Sequence, residues 1–370
     1  MSSVEKRVRN GRTTYVVRWR DDAGMQRKKS FGRQVDANRW RTEVDHQLAS
    51  GSYIDPAAGK VTFKAYAEKW RAIQVHRPST AKRIGSELTN HVYPVIGGKP
   101  IATIRPSDIQ ALTTGLSVKL AASTVRTMMT TVKAVFRAAV HDRVIGLNPT
   151  ERVVVPAAAR KQIVPLPVET VETIASGIKA QYRALVVLGA GAGLRPGELF
   201  GLRVDDIDFM RRTVRVERQV VKVDGVPQIG PPKTRSSYRT IPIGDTVIVE
   251  VSAHISKKYP NADGLLFPAP AGGLINDAAF GEHVWKPAVK KAGATHVGPH
   301  SLRHFYASVL IAAGQSVKVV SERLGHSNAA MTLNTYSHLW PVDEDKTRSA
   351  IDDVFQPHVP RTRPASETGS

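Results

Sequence analysis

Near the end of the chain an arginine, spaced histidines and a tyrosine fall within 40 residues. They sit in Pro299-His300-Ser301-Leu302-Arg303-His304, Leu324-Gly325-His326-Ser327 and Asn334-Thr335-Tyr336-Ser337-His338. An arginine presents a planar fork that holds two phosphate oxygens, and a histidine can donate to a third. A tyrosine oxygen can attack phosphorus and form an ester that stores the bond energy for a later rejoining step. With a free pKa of about 10, the phenol needs a nearby base and an electropositive site. The chemistry such a set can serve is phosphoryl transfer.

Each residue also has a plainer reading. A single arginine or histidine is more often a satisfied core group or a solvated one, and a lone tyrosine is usually packing. His300 and His304 are four apart, the spacing of a helical zinc pair. Position 301, however, is serine where the metalloprotease motif needs glutamate, and the chain has no cysteine to complete a structural site.

The wider pattern resembles the tyrosine recombinase (phage integrase) family, whose catalytic signature runs Arg, Lys, His-x-x-Arg, His, Tyr. Here Arg195 lies in Ala192-Gly193-Leu194-Arg195-Pro196-Gly197-Glu198-Leu199 and Lys233 in Pro232-Lys233-Thr234. His300 and Arg303 form the His-x-x-Arg pair, and His326 and Tyr336 complete the order. The resemblance implies a site-specific recombinase that needs no metal or ATP. Tyr336 would attack a DNA phosphate, giving a 3′-phosphotyrosyl link and a free 5′-hydroxyl. Arg195 and Arg303 would hold the non-bridging oxygens, His326 would add a donor, and Lys233 would protonate the leaving oxygen. His300 is the candidate base for the tyrosine, and Glu198 is expected to fix its own loop. Implied partners are double-stranded DNA at core and arm attachment sites and three further copies of the chain. An excisionase and a DNA-bending protein are further candidates. A type IB topoisomerase, a chromosome-dimer resolvase and a non-catalytic DNA-binding regulator are the alternatives. The first shares the tyrosine site, the second usually lacks an N-terminal arm module, and the third leaves Tyr336 unexplained.

Composition agrees with a polyanionic partner. The chain has 370 residues, a net charge of +21 and a pI near 10.3. Residues 1–150 hold 26 lysines and arginines against 11 acids, whereas the other 220 hold 27 against 21. No apolar run approaches the ~20 residues of a membrane span, no signal peptide is evident, and the absence of cysteine fits a cytoplasmic protein.

The elements that must position these residues read as a multidomain chain, mainly α with small antiparallel β-sheets. Residues 1–55 predict a three-stranded sheet and a helix. Thr13–Arg20 alternates, with Tyr15, Val17 and Trp19 on one side and Arg18 and Arg20 on the other. Met25–Phe31 is a second basic strand carrying Arg27 and Lys29, and Ala37, Trp40, Val44 and Leu48 make the helix's apolar side. This module resembles the arm-type DNA-binding domain of integrases. Residues 61–145 predict a helical bundle, resembling the family's core-binding domain. Its fourth helix has a stripe of Val125, Met128, Met129, Val132, Val135, Phe136 and Ala139, opposite Arg126, Lys133 and Arg137. Arg160 and Lys161 mark a basic connector. Residues 160–356 predict the catalytic domain, with helices near 168–180 and 182–192 and strands at 204–209, 213–223 and 238–243. Lys233 falls on a mobile connection between the last two strands. In 299–314 the spacing of Leu302, Phe305, Val309 and Leu310 predicts a helix with His300 and Arg303 on its open side. Ile351, Val354 and Phe355 suggest a short amphipathic helix, and 357–370 reads as a disordered tail.

Overall fold

The computed structural model describes residues 2–9, 12–21, 24–55, 57–157, 162–261, 263–340 and 344–355. The chain divides into two compact units, Met1–Arg160 and Lys161–Ser370.

The first unit opens with an antiparallel meander of β1 (Ser3–Arg9), β2 (Arg12–Arg20) and β3 (Gln26–Phe31), followed by α1 (Gln34–Ala49). Period-two alternation sends Val17 and Trp19 to one face, where they pack with Ala37, Val44 and Tyr53. The Trp19 indole donates to the Tyr53 hydroxyl at 2.9 Å, so the polar edge of that core is satisfied. Register then sorts the basic residues. Arg18 pairs opposite Lys28 on the open face, with Arg20 beside them, whereas Trp19 pairs with Arg27 and Val17 with Lys29. Arg27 and Lys29 therefore belong to the helix-covered face. Arg27 is held by Asp21 and Asp55 at 2.9 and 2.6 Å, and the Lys29 ammonium sits 3.5 Å from the Trp40 ring centroid.

A bundle completes the unit: α2 (Phe63–Ala72), α3 (Pro78–Glu87), α4 (Pro106–Lys119) and α5 (Ala122–His141), with a π-wound stretch Leu88–Gly97 after α3. Thr62 caps α2 through the Ala65 N–H, and Pro106 takes the first turn of α4, where its missing donor is not needed. The predicted stripe of α5 is buried throughout, and Phe136 lies 5.1 Å from the Phe63 ring. Arg126, Lys133 and Arg137 lie exposed on the opposite side.

The second unit contains α6 (Val168–Gly177), α7 (Arg183–Ala192), α8 (Pro196–Phe200), α9 (Asp245–Ser256), α10 (Asp277–Phe280), α11 (Lys286–Lys291), α12 (Ser301–Ala312), α13 (Val317–Leu324), α14 (Ala329–Tyr336) and α15 (Glu344–Phe355). Its sheet differs from the expected one. The run at 213–223 breaks into β5 (Thr213–Val216) and β6 (Gln219–Val223), because Arg218 turns to the buried Asp206 carboxylate. β5 pairs with β4 (Ile207–Asp208) and β8 (Arg239–Pro242), while β6 pairs with β7 (Val226–Gly230) in a separate hairpin. Asp224 and Gly225 form the hairpin turn with φ of +49° and +91°, the left-handed pair that matches the strand twist. The expected strand 204–209 shortens because Val204–Asp206 is a helical turn tied by the Asp206 carboxylate to the Arg203 N–H at 2.8 Å. No helix among the described residues is long and apolar enough to cross a membrane. Arg160, Lys161 and the tail 357–370 lie outside the described residues.

Because Phe136 is fully buried against Phe63, Phe136→Ala leaves a cavity as well as losing transfer energy. A loss of about 3–5 kcal/mol in the bundle's unfolding, read from urea titration, is expected. A loss below about 1 kcal/mol would show that the stripe is not the bundle's core.

Candidate active site

Helix α13 ends at Gly325 in the left-handed region (φ +63°), and its last carbonyls have no partner within the helix. Three consecutive carbonyls there are taken by guanidiniums from three other parts of the unit. The Arg323 carbonyl accepts from Arg239 Nε at 2.8 Å, the Leu324 carbonyl from Arg303, and the Gly325 carbonyl from Arg195 Nη2 at 3.0 Å. A helix C-terminus carries partial negative charge, so it suits this cargo. A side chain at Gly325 would put Cβ 2.9 Å from the Ser236 carbonyl and 3.0 Å from Arg239, so only glycine fits. Helix α7 ends the same way at Gly193 (φ +63°), whose carbonyl accepts from Arg303 Nη1 at 2.9 Å.

One carboxylate sits among these guanidiniums. Glu198, 1% exposed, accepts from the Arg195 backbone N–H at 2.9 Å and side chain at 2.7 Å, and from Arg239 at 2.8 and 3.2 Å. Burial alone would raise its pKa, but Arg239 and Arg195 together outweigh burial and hold it below the ordinary glutamate value. Three guanidiniums against one carboxylate leave a local surplus of positive charge. The effects are visible on the neighbours. Burial, then repulsion from Arg195 and Arg239, lowers Arg303 to about 9. Burial, then the charges of Arg303, Arg195 and Arg239, lowers His326 to about 3, and burial, then His304, Arg303 and Arg195, lowers His300 to about 4. Both imidazoles are neutral at pH 7 and each offers one N–H. A phosphate is the group this site is charged to receive.

Arg195, Arg303, His300, His326 and Tyr336 come together, and several placements differ from the sequence reading. Arg303 is 2% exposed rather than on an open side. The buried set of α12 is Leu302, Arg303, Tyr306, Ala307 and Ile311, while Val309 faces out. The shift puts Arg303 in phase with the core because its donors are taken by helix-end carbonyls. Arg195 and His300 line a cleft of about 430 Å³ with Gly197, Gln219 and Lys222. His326 Nδ1 meets the fully buried Thr332 hydroxyl at 2.8 Å, which fixes the ring. Tyr336 closes α14, is 1% exposed, and is raised to about 12 by burial against the pull of Arg303. Its hydroxyl lies 2.7 Å from His304 Nδ1, so the imidazole on the phenol is His304 rather than His300. His300 meets the His304 ring edge-on at 4.8 Å between centroids. Lys233 is exposed between two anchors, buried Pro232 and buried Ser237, whose hydroxyl is 2.9 Å from that of Thr234. The lysine's segment is thus pinned at both ends.

Sequence reasoning missed Arg239, His304 as a site residue, and Thr332. Arg239 did leave a signal, since it alternates in phase with Ile241 and Ile243, both buried. His304 follows His300 by one helical turn, which the zinc-pair spacing noticed for another reason.

Family models match two stretches: the phage integrase family over residues 162–341 and the phage integrase central domain over 63–154. The prophage phiRv2 integrase of Mycobacterium tuberculosis is 30% identical over 84% of this chain and 84% of its own length. The integrase of Mycobacterium phage D29 is 26% identical, covering 82% and 84%. Among solved structures, the Tn1549 transposon integrase in complex with a circular intermediate DNA matches with a TM-score of 0.68 at 25% identity. That match covers 79% of this chain and 99% of the other. A lambda integrase dimer bound to a core site shares the fold, with a TM-score of 0.58 at 17% identity over 91% and 94%.

Replacing the one carboxylate tests the cluster. Glu198→Gln keeps the shape but strands the charges of Arg195 and Arg239, and should cost about 3–5 kcal/mol. A depressed folded pKa stabilises above the unfolded value, near 4.5, and that stability is lost as pH falls through the folded value. The wild type should therefore lose stability below about pH 4.5 more steeply than the variant in pH-dependent melting. Parallel curves would show that Glu198 does not hold the cluster.

Proposed function

The chain belongs to the phage integrase family of tyrosine recombinases, a site-specific integrase that cleaves and rejoins DNA, and from that premise we propose which residues do the work. Three guanidiniums converging on the end of α13, beside Tyr336, carry the reading. Arg195 and Arg303 hold the non-bridging oxygens of the scissile phosphate with the N–H groups their carbonyl partners leave over, and His300 and His326 donate from their neutral rings. The Tyr336 oxygen attacks phosphorus, and the 5′-oxygen departs with a proton from Lys233, leaving a 3′-phosphotyrosyl link. The 5′-hydroxyl of a partner strand then reverses the step. Because fixed guanidiniums and the lysine supply the positive field, the reaction runs without metal or nucleotide.

DNA is the partner, and the same reading divides the chain by DNA segment. The open face of the sheet in 1–55, with Arg18 and Arg20, takes arm-site DNA. The bundle in 61–145, with Arg126, Lys133 and Arg137, and the catalytic domain in 160–356 take the core site. Arg27 and Lys29 support the arm module from its covered face. Four copies on two duplexes exchange strands pairwise in a bacterial cytoplasm; the solved lambda integrase tetramer on a Holliday junction supports that assembly. The N-terminal sheet and helix favour an integrase over a resolvase or a topoisomerase.

On a nicked suicide duplex, Tyr336→Phe should bind as the wild type does yet form no covalent complex, and excess chelator should leave the wild-type yield unchanged. Attachment by the Phe variant would remove Tyr336 from its role, and loss of cleavage in chelator would refute the metal-free route.

Deleting 1–55 should spare core-site cleavage and abolish tight binding to arm duplex. The log–log salt slope should fall by about 0.9 for each phosphate that the truncated protein no longer neutralises. Band shifts at several salt concentrations measure both, and equal arm affinity with and without residues 1–55 would sink the arm assignment.

A further inference from the structure

We propose that His304 is a catalytic residue that accepts the Tyr336 proton at Nδ1. The proposal rests on Tyr336 being the nucleophile. Of the imidazoles in the site, His304 alone touches the reacting atom among the described residues, with Nδ1 2.7 Å from the phenol oxygen. The rings also meet edge to face, 5.7 Å between centroids. The hydrogen bond needs one N–H or O–H and one lone pair. With the imidazole proton on Nε2, Nδ1 is the acceptor and the phenol donates. The charged and titratable groups facing His304 are His300 and Arg303 of its own helix and Tyr336 of α14. Burial, then the Arg303 charge, lowers its pKa, so the ring is neutral and ready to accept near pH 7. His300, on the same helix, is turned to the cleft shared with Arg195 and serves the phosphate.

The step balances. The Tyr336 O–H bond breaks toward Nδ1 as the oxygen bonds to phosphorus, and the phosphorus–O5′ bond breaks as O5′ takes a proton from Lys233. In rejoining, the incoming 5′-hydroxyl returns its proton to the lysine, and His304 returns its own to the departing phenolate. His304 thus works on the nucleophile's side of phosphorus and Lys233 on the leaving side.

That division gives the test. His304→Asn places an oxygen near the Nδ1 position, keeping an acceptor for the hydroxyl but no base. Single-turnover attachment to a nicked suicide duplex is measured for the wild type, H304N, H300N and K233A. Each is run with an ordinary scissile phosphate and with one whose bridging 5′-oxygen is sulfur, a leaving group that needs no proton. H304N should bind the duplex normally, react about 10²–10⁴-fold more slowly, and stay slow with the sulfur substrate, whereas K233A recovers with it. The H304N deficit should also shrink as pH rises, because hydroxide can take the proton in the base's place while the phenol itself, raised to about 12, stays protonated. Wild-type rates for H304N, or its recovery with sulfur, overturn the proposal. A deficit of that size in H300N alone transfers the role to His300. Should H304N fail to bind DNA, H304A, which also removes the base, carries the comparison, and added imidazole should restore part of its rate. Covalent attachment by Tyr336→Phe would instead overturn the nucleophile itself, leaving the two failures distinct.

Discussion

The catalytic unit depends on where its positive charges are anchored. Arg195, Arg239 and Arg303 come from α8's cap, a strand and α12, and would repel one another in a dry interior. They stay together because the end of α13 offers three carbonyls in a row and Glu198 offers one full negative charge. Partial charges at a helix end neutralise only a fraction of each guanidinium. The cluster is therefore held but not quenched, and an incoming phosphate completes it. Had a second carboxylate stood in place of a carbonyl, the folded state would be steadier and the site would lose its appetite for anions.

The proposed nucleophile is governed by burial, which works against the same field. Burial pushes the Tyr336 phenol up to about 12, and Arg303 alone does not bring it down. A phenol in that state is inert toward water and stray phosphates. Attack requires a base already in contact and a phosphate already in place. On the proposed reading DNA binding supplies the second, and His304 stands within one hydrogen bond as the first.

Much of this was legible in the sequence because local rules govern it. Gly193 and Gly325 follow apolar helical runs, as left-handed caps do, and the stripe of α5 reads directly as core. The six signature residues were ordered along the chain, and five of them meet in one place. What the sequence hid is non-local. Arg303 looked exposed because charge is usually solvated, and only the carbonyls of α7 and α13 make its burial tolerable. The basic residues of β3 looked alike until cross-strand register put Lys28 and Lys29 on different faces. His304 could not be told from His300 without knowing where the end of α14 falls. The strand expected over 213–223 failed at Arg218, whose partner Asp206 sits 12 residues earlier.

The chain uses its cations in two physically different ways. Arg20 on the sheet's open face, and Arg126, Lys133 and Arg137 on α5, stand toward solvent, while Arg18 is half-buried beside Glu5. Their attraction for DNA is screened within about 10 Å at 0.1 M salt. Such contacts give affinity that salt can tune, and through counterion release they favour fast, reversible search. The Arg303 side chain is buried and that of Arg239 nearly so, so the field they set up at the proposed phosphate site is barely screened. The larger surplus of charge in the first 150 residues, +15 against +6 in the rest, fits this division. Finding DNA calls for many exposed charges, whereas the proposed chemistry adds a few that water and salt barely reach, Arg303 first among them.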